Sequence, residues 1–432
     1  MDLCEECNQK NTGLLWCNAC SAKQFQQNFE NWTSGNNDID KFIQNTQLST
    51  EESYKVLEWI PYDRFYNIKY IAQGGFSKIY KAKWIDGFIT EWDNKNKKWK
   101  RWGNMDVALK SLNNSKDVTL NFINEVTLHH KVSGYIIGLY GITQDPNTKN
   151  YIMVLDYAEN GTLRNYLNKS YDMLNWEDKI GNLLNIAVGL NEIHMNELIH
   201  RDLHIGNILH NKHYACISDM GLCIPAAIHR DSHIGNKHYT CISERLCKPA
   251  ALENTKKNFY GVLPYVAPEI LQSQNYTKAA DIYSFGIIMY EVISGLPPYY
   301  NLSYNDLAIK ICKGLRPSFN IKVPQLIVHL IKRCLDANPL NRPSALEVKD
   351  ILYLWYYKSN YQTEIKKQIR EADEINNKLQ TINISSTSLS YEIHSGTIYT
   401  SRLLNFNNKN SDDYYEQYDN TISIEYSRNS TN

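Results

Sequence analysis

The chain has 432 residues, of which 43% are hydrophobic, and its 46 basic and 46 acidic side chains cancel each other. A chain of this length is expected to form about three domains, and its hydrophobic content is sufficient for a sizeable core. The balanced charge argues against nucleic acid or a membrane surface as a partner. The start lacks the basic and apolar regions of a signal peptide, and the longest apolar run, Phe285 to Leu296, is too short to cross a bilayer. We therefore expect a soluble cytoplasmic protein, with a nuclear location as the alternative.

Four cysteines stand in two near pairs at the start of the chain: Cys4, Cys7, Cys17 and Cys20. In a reducing compartment cysteines are thiols or metal ligands, and two C-x-x-C pairs can complete a tetrahedral Zn²⁺ shell. The spacing predicts a zinc-binding head over residues 1–22, the alternative being unrelated thiols at a flexible terminus. Residues 23–60 are polar with scattered aromatics and are predicted to form a partly helical linker, with helix-like apolar spacing from Tyr54 to Trp59.

Residues 61–357 alternate strand and helix patterns densely. Between two predicted strands, Gly74 and Gly75 stand in a run with the small residues Ala72 and Ser77 on either side. Backbone without a Cβ can approach a ligand closely. The run therefore favours a ligand-binding loop, although an ordinary hairpin turn is the alternative.

Three further segments follow in the chain. The aromatic and basic stretch 84–105 favours a solvated extended hairpin over a docking or nuclear-targeting patch. A strand Val-Ala-Leu-Lys then ends at Lys110, and a helical pattern places Glu125 where it can pair with that lysine. Residues 151–163 form a buried strand pattern that runs into a glycine-containing turn.

The run His200-Arg201-Asp202-Leu203-His204-Ile205-Gly206-Asn207 follows a predicted helix, Trp176 to Met195. It recurs 29 residues later with Ser232 in place of Leu203. Four more short runs come after the first copy: Asp219-Met220-Gly221, Ala267-Pro268-Glu269, Asp281-Ile282-Tyr283-Ser284-Phe285-Gly286 and Asn341-Arg342-Pro343. The order and spacing of all these runs resemble the motifs of protein kinases.

The resemblance implies an α+β bilobal kinase fold, with a five-stranded sheet and one main helix in the N-lobe (61–155) and a mostly helical C-lobe (159–357). It implies that Asp202 accepts the proton of a substrate hydroxyl and that Lys110, held by Glu125, positions the phosphates of ATP. Asn207 and Asp219 would bind Mg²⁺, with Mn²⁺ as an alternative. The implied nucleotide-binding residues are Ile71, Ala72, Gly74, Gly75, Ser77, Ile79, Ala108, Lys110, Asp156 and Ala158. The resemblance also pairs Glu269 with Arg342.

The residues His204-Ile205-Gly206 are similar to those of the tyrosine-kinase-like group, which mostly phosphorylates Ser and Thr. Val262 stands where Ser/Thr kinases usually have a Thr, so dual specificity stays open. The whole arrangement, including the cysteine head, resembles a large fungal family of such kinases. The implied partners are ATP and protein substrates, without nucleic acid or membrane, and the oligomeric state is left open.

The second copy of the catalytic run belongs to a duplicated segment, residues 229–251. In it Asn236 and Glu244 are 8 positions apart, against 12 between Asn207 and Asp219. The shorter span leaves little room for the hairpin that must join two metal ligands, so the first copy is predicted to be the working site. The second copy would be extra chain before Ala267, or else the product of a gene-model error.

Residues 358–432 are predicted to begin with a charged helix, Asn360 to Lys378, and to end in a disordered tail rich in Ser, Asn and Tyr. The predicted function is transfer of the γ-phosphoryl group of ATP to protein hydroxyls, Ser and Thr before Tyr, in intracellular signalling. The alternatives are a pseudokinase that binds ATP or partners without transfer, and an adaptor that recruits partners through its head and tail.

Overall fold

The computed structural model describes residues 3–74, 77–113, 115, 120–132, 134–226, 259–303, 307–357, 359–382 and 401–404. Gly75, the duplicated segment 229–251 and most of the predicted tail lie outside the described residues. None of the described helices is long and apolar enough to cross a bilayer.

The N-terminal half of the fold is built on a mixed sheet. Six strands form this sheet: β1 (Glu58–Trp59), β2 (Phe65–Gln73), β3 (Ser77–Trp84), β6 (Met105–Leu112), β7 (Leu139–Gln144) and β8 (Tyr151–Asp156). Two further strands, β4 (Phe88–Asp93) and β5 (Lys98–Trp102), form a hairpin inserted between β3 and β6. The sheet has the order β1-β7-β8-β6-β3-β2, and only the β1–β7 pair is parallel. It has six strands where five were predicted, because the two residues of β1 extend the edge beyond β7.

Strands β4 and β5 form the extended hairpin that was predicted in the stretch 84–105. The expectation that this hairpin is solvated is wrong for Ile89 and Trp99, which lie in an apolar cluster. The hairpin is covered by the start of the chain. The ring of Trp99 stacks on Trp16 at 5.5 Å and on Phe25 at 4.5 Å between centroids, and Trp16 is almost fully buried. The hairpin and the cysteine-containing head therefore share one small apolar cluster.

Residues 18–57 fold onto the same half of the molecule. Helix α1 (Asn18–Gln26) is followed by α2 (Asn37–Ser49). Asn36 caps the start of α2, since its side chain accepts hydrogen bonds from the backbone N–H groups of the first turn. Ile39 and Ile43 of α2 are fully buried in a cluster with residues of helix α3 (Leu120–Lys131). The helical interpretation of Tyr54 to Trp59 is wrong, since only a short 3-10 turn at Ser53–Lys55 precedes β1. A segment expected to be a linker is thus packed against the sheet and α3.

The C-terminal half is mostly helical. Its helices are α4 (Leu163–Ser170), α5 (Trp176–Met195), α6 (Pro268–Leu271), α7 (Lys278–Ser294), α8 (Leu307–Cys312), α9 (Gln325–Cys334), α10 (Ala345–Tyr357) and α11 (Ser359–Ile382). Short strands lie between and after them: β9 (Leu198–Ile199), β10 (Ile208–His210), β11 (Ala215–Ile217), β12 (Ile224–Pro225), β13 (Phe259–Gly261) and β14 (Arg402–Leu404). Helix α5 has its predicted bounds, and α7 is buried on all sides, as the central helix of a large core is.

Candidate active site

Three predicted site residues meet where the two halves face each other. The Lys110 ammonium donates to Glu125 Oε1 at 2.6 Å and to Asp219 Oδ1 at 2.9 Å. Lys110 lies on β6 in the centre of the sheet, and Glu125 lies on α3. Asp219 follows β11 and adopts the left-handed backbone region with φ 60°, which turns its carboxylate towards the lysine. The strand-to-helix pair predicted between Lys110 and Glu125 is therefore formed.

The charges of this cluster stabilise one another. Burial alone would lower the pKa of Lys110, but the Asp219 and Glu125 carboxylates raise it, so the ammonium is retained. Burial alone would raise the pKa of Asp219, whereas the Lys110 ammonium and the backbone N–H of Gly221 bring it down to about 2. The Asp219 carboxylate is thus ionised across the physiological range and suited to a divalent cation.

The loop that contains Asp202 folds around its own side chains. Asn207 donates through Nδ2 to the backbone oxygen of Asp202 at 2.9 Å and to its carboxylate Oδ2 at 3.3 Å. Because the amide nitrogen makes these two bonds, the amide oxygen is the atom of the Asn207 side chain that could bind a cation.

A hairpin joins this loop to Asp219, as predicted for the first copy of the duplicated run. Strands β10 and β11 pair antiparallel with the register Ile208↔Ile217, and the backbone N–H of Ser218 donates to Asn207 oxygen at 2.8 Å. The hairpin closes on itself, so that its two ends, Asn207 and Ser218, are in contact. The contact brings Asp219, the residue after Ser218, back to the end of the loop that contains Asn207.

The predicted nucleotide-binding residues lie on four neighbouring strands. Ala72 pairs with Ile79 across the β2–β3 hairpin, and Ile79 in turn pairs with Lys110 of β6. Ala108 of β6 pairs with Leu155 of β8, the strand that ends at Asp156 just before Ala158. The remaining members, Ile71, Gly74 and Ser77, stand at the tip of the β2–β3 hairpin, where the backbone N–H of Gly74 donates to Ser77 oxygen at 2.8 Å.

Sequence reasoning missed the residues that hold the Asp202 loop in place. Asp281 of α7 accepts hydrogen bonds from the backbone N–H groups of His200 and Arg201 at 2.8 and 3.0 Å, and its Oδ2 lies 3.0 Å from His194 Nε2. His204 Nε2 lies 3.7 Å from the Asp202 carboxylate. Asp281 begins one of the short runs noted in the sequence, but its hydrogen-bond partners lie 80 to 87 residues away in the chain, and no local pattern indicates them.

The predicted pair of Glu269 and Arg342 is confirmed. Arg342 donates to both oxygens of the Glu269 carboxylate, at 2.7 Å each, in the parallel geometry that guanidinium and carboxylate groups favour. Both side chains are buried, with exposures of 0% for Arg342 and 4% for Glu269. The pair ties α6 to the segment just before α10.

The four cysteines of the head come together. Cys4 Sγ lies 3.8 Å from Cys20 Sγ, Cys7 Sγ lies 3.6 Å from Cys17 Sγ, and all four sulfurs are within 4.8 Å of one another. A tetrahedral zinc ion with Zn–S bonds of about 2.3 Å places its sulfurs about 3.8 Å apart. Burial and the neighbouring thiols raise the pKa of Cys20, so its thiolate needs a cation nearby. The donor set and spacing therefore fit Zn²⁺.

Comparison with known proteins decides the family. The family model for protein tyrosine and serine/threonine kinases matches residues 66–352, which include every part of the site described above except the cysteine head. The chain belongs to this kinase family. Its sheet-based N-terminal half and helical C-terminal half fit the bilobal kinase fold.

Several curated kinases are similar to this chain. A protein kinase and PP2C-like domain-containing protein of Arabidopsis thaliana is 31% identical over 45% of the chain, and a probable serine/threonine-protein kinase of Dictyostelium discoideum is 28% identical over 58%. A tyrosine-protein kinase of Girardia tigrina is 25% identical over 65%. The matched regions span 32%, 25% and 51% of these relatives' own lengths, so this chain matches about half or less of each relative.

Proposed function

We propose that the chain is an active, ATP-dependent protein kinase that transfers the γ-phosphoryl group to protein hydroxyls in intracellular signalling. The observation that carries the proposal is the buried Lys110 ammonium held between Glu125 and Asp219. Lys110 and Glu125 are buried and Asp219 is about half exposed beside them. Burying an ion pair is costly for stability, and it is common where a protein performs chemistry. A simple adaptor has no physical need for this cluster. A pseudokinase that binds ATP would need it, so the transfer assay below separates that alternative from an active kinase.

The proposed roles follow from the positions of the side chains. Asp202 orients the acceptor hydroxyl and receives its proton, while Lys110 holds the α- and β-phosphates. Asn207 and Asp219 offer the oxygen ligands for Mg²⁺, which supplies charge neutralisation on the phosphates when it is bound. ATP lies against the β2–β3 hairpin, with its base near Asp156 and Ala158. Catalysis consists mainly of positioning and charge stabilisation.

We further propose Ser and Thr as the main acceptors. The residues His204-Ile205-Gly206 resemble the tyrosine-kinase-like group, and the Dictyostelium relative is named as a serine/threonine kinase. Val262 and the Girardia relative, named as a tyrosine kinase, make dual specificity the competing outcome. The cysteine head together with this catalytic domain supports placement in the large fungal family noted above.

The head is proposed to be a structural zinc site formed by its four cysteines, in a reducing compartment such as the cytoplasm. The support is the tetrahedral spacing of the four sulfurs. Thiolates so close together require a cation to offset their mutual repulsion. The ion would fix the two ends of the head, and Trp16 and Phe25 would thereby be held against the β4–β5 hairpin.

The test compares two aspartates of the duplicated runs. The full chain is incubated with Mg-ATP and peptides that contain a single Ser, Thr or Tyr, and the labelled residue is identified. Loss of a catalytic base costs about 100-fold or more, so Asp202→Asn should abolish measurable transfer. Asp231→Asn, the matched control in the second copy, should leave it unchanged. Equal activity of native protein and Asp202→Asn would refute the proposed role of Asp202.

A further inference from the structure

The C-terminal part of the chain returns to the catalytic site as a β-strand. Strand β14 (Arg402–Leu404) pairs antiparallel with β13 (Phe259–Gly261), in the register Phe259↔Leu404, Tyr260↔Leu403 and Gly261↔Arg402. Strand β13 belongs to the segment between Asp219 and Ala267. The tail therefore adds a strand to the segment that follows the Asp219 metal site.

Strand β13 ends beside Asp202. A Cβ atom placed on Gly261 would lie 3.8 Å from Asp202 Oδ1, and Gly261 and Asp202 line the same cavity, together with Val262. Partner Cα atoms of an antiparallel ladder are about 5 Å apart. Because Arg402 is the partner of Gly261, the ladder delivers the N-terminal end of β14 to the neighbourhood of the catalytic aspartate.

The residue at that end carries a hydroxyl group. Ser401 directly precedes Arg402 and is half-buried. Since the strands are antiparallel, Ser401 continues the ladder on the side of Val262, about 3.4 Å of strand beyond Arg402. Gly261 has φ 155° and no side chain, so nothing at that position stands between the tail and the Asp202 carboxylate.

We propose that Ser401 is an intramolecular phosphoacceptor, presented to Asp202 by the pairing of β14 with β13. In the transfer, the bond between the γ-phosphorus of ATP and its bridging oxygen breaks and a bond from Ser401 Oγ to that phosphorus forms. The hydroxyl proton passes to the Asp202 carboxylate, and ADP leaves. This step rests on the kinase function proposed above, and it names the protein's own tail as one substrate.

The pairing also indicates how other substrates bind. An extended peptide that adds a strand to an exposed edge is held mainly by backbone hydrogen bonds, which any sequence can supply. A protein substrate would use the same edge, β13, and the tail would compete with it while β14 is in place. Removal of the tail strand should therefore lower the KM for an added peptide with little change in kcat.

The test uses the full chain with Mg-ATP and maps the phosphorylated residues by mass spectrometry. Ser401 should carry phosphate, and its rate constant should stay the same over a tenfold dilution of the protein. Asp202→Asn should remove this phosphate. Leu403→Pro, which disrupts the ladder at the pair with Tyr260, should slow Ser401 phosphorylation at least 10-fold while an added peptide is still phosphorylated.

Two serine variants provide the matched comparison. Ser401→Ala should lose that phosphate and keep activity towards the peptide, whereas Ser388→Ala in the same tail should change neither. Phosphorylation of the peptide without any phosphate on Ser401 would overturn the inference and leave the kinase function standing. Phosphate on Ser401 at a rate proportional to protein concentration would overturn the intramolecular route. Transfer to neither would count against the kinase function itself.

Discussion

Replacing Arg342 with Met should destabilise the protein strongly, because it would leave the Glu269 carboxylate buried without its partner. The guanidinium makes two 2.7 Å bonds to that carboxylate and also donates to the backbone oxygens of Ala279 and Asp336 at 2.9 Å each. Removal of one partner from a buried ion pair costs about 3–5 kcal/mol. We therefore expect Arg342→Met to lower the free energy of unfolding by about 4 kcal/mol.

The assay is urea unfolding of three variants: Arg342→Met, Glu269→Gln and the double variant. Methionine has a volume close to that of arginine, so the loss reports the missing charge and hydrogen bonds rather than a cavity. In the double variant no charge is left unpaired, and its stability should exceed that of Arg342→Met. The coupling between the two sites, obtained from the cycle, should be about 2–3 kcal/mol, as for residues that share one hydrogen-bonded pair.

Two results would refute this reasoning. A loss below about 1 kcal/mol for Arg342→Met would mean that the carboxylate is solvated despite its 4% exposure. Losses that simply add in the double variant would mean that the two side chains act independently. A peptide-phosphorylation assay of the same variants shows in addition whether the ion pair between α6 and the segment just before α10 is needed for transfer.

Three further predictions concern the site, the head and the packing of α3. Lys110→Met should abolish phosphoryl transfer in a labelling assay while circular dichroism stays native, and transfer at the native level would contradict the assignment. Metal analysis should find one zinc per chain, which Cys7→Ser or a chelator removes; protein made in zinc-supplemented medium without bound zinc would disprove the site. Ile43→Ala, at a fully buried position, should cost about 2–4 kcal/mol in urea unfolding and lower kcat by loosening the helix that carries Glu125. Leu48→Ala, at an exposed position of α2, the helix that also contains Ile43, is its control. Equal effects of the two substitutions would contradict the packing argument.

The sequence predicted what depends on short runs of residues. A local pattern predicted the bounds of α5. The resemblance to protein kinases predicted the β10–β11 hairpin and the pair of Glu269 and Arg342. These features could be predicted because each is specified by residues that stand together in the chain or in a recurrent order.

Long-range contacts could not be predicted in this way. The stack of Trp16, Phe25 and Trp99 joins segments that are far apart in the chain, and polar composition made residues 23–60 resemble a linker. The buried apolar residues of helix α2 are Ile39 and Ile43. Two such residues are too few to give a clear helical pattern in a polar segment. The β13–β14 ladder consists of backbone bonds, for which the side chains carry no signal.

The shared cluster of the head and the β4–β5 hairpin bears on how such a gene can be rearranged. Trp16 and Phe25 come from the segment that precedes the catalytic domain, and Trp99 comes from the β4–β5 hairpin inserted within that domain. The rings of the two segments cover each other's apolar surface. A recombination event that moved the catalytic domain alone would carry an uncovered Trp99 into its new host. One that moved the head alone would carry an uncovered Trp16. Head and insertion should therefore be inherited, lost or swapped together.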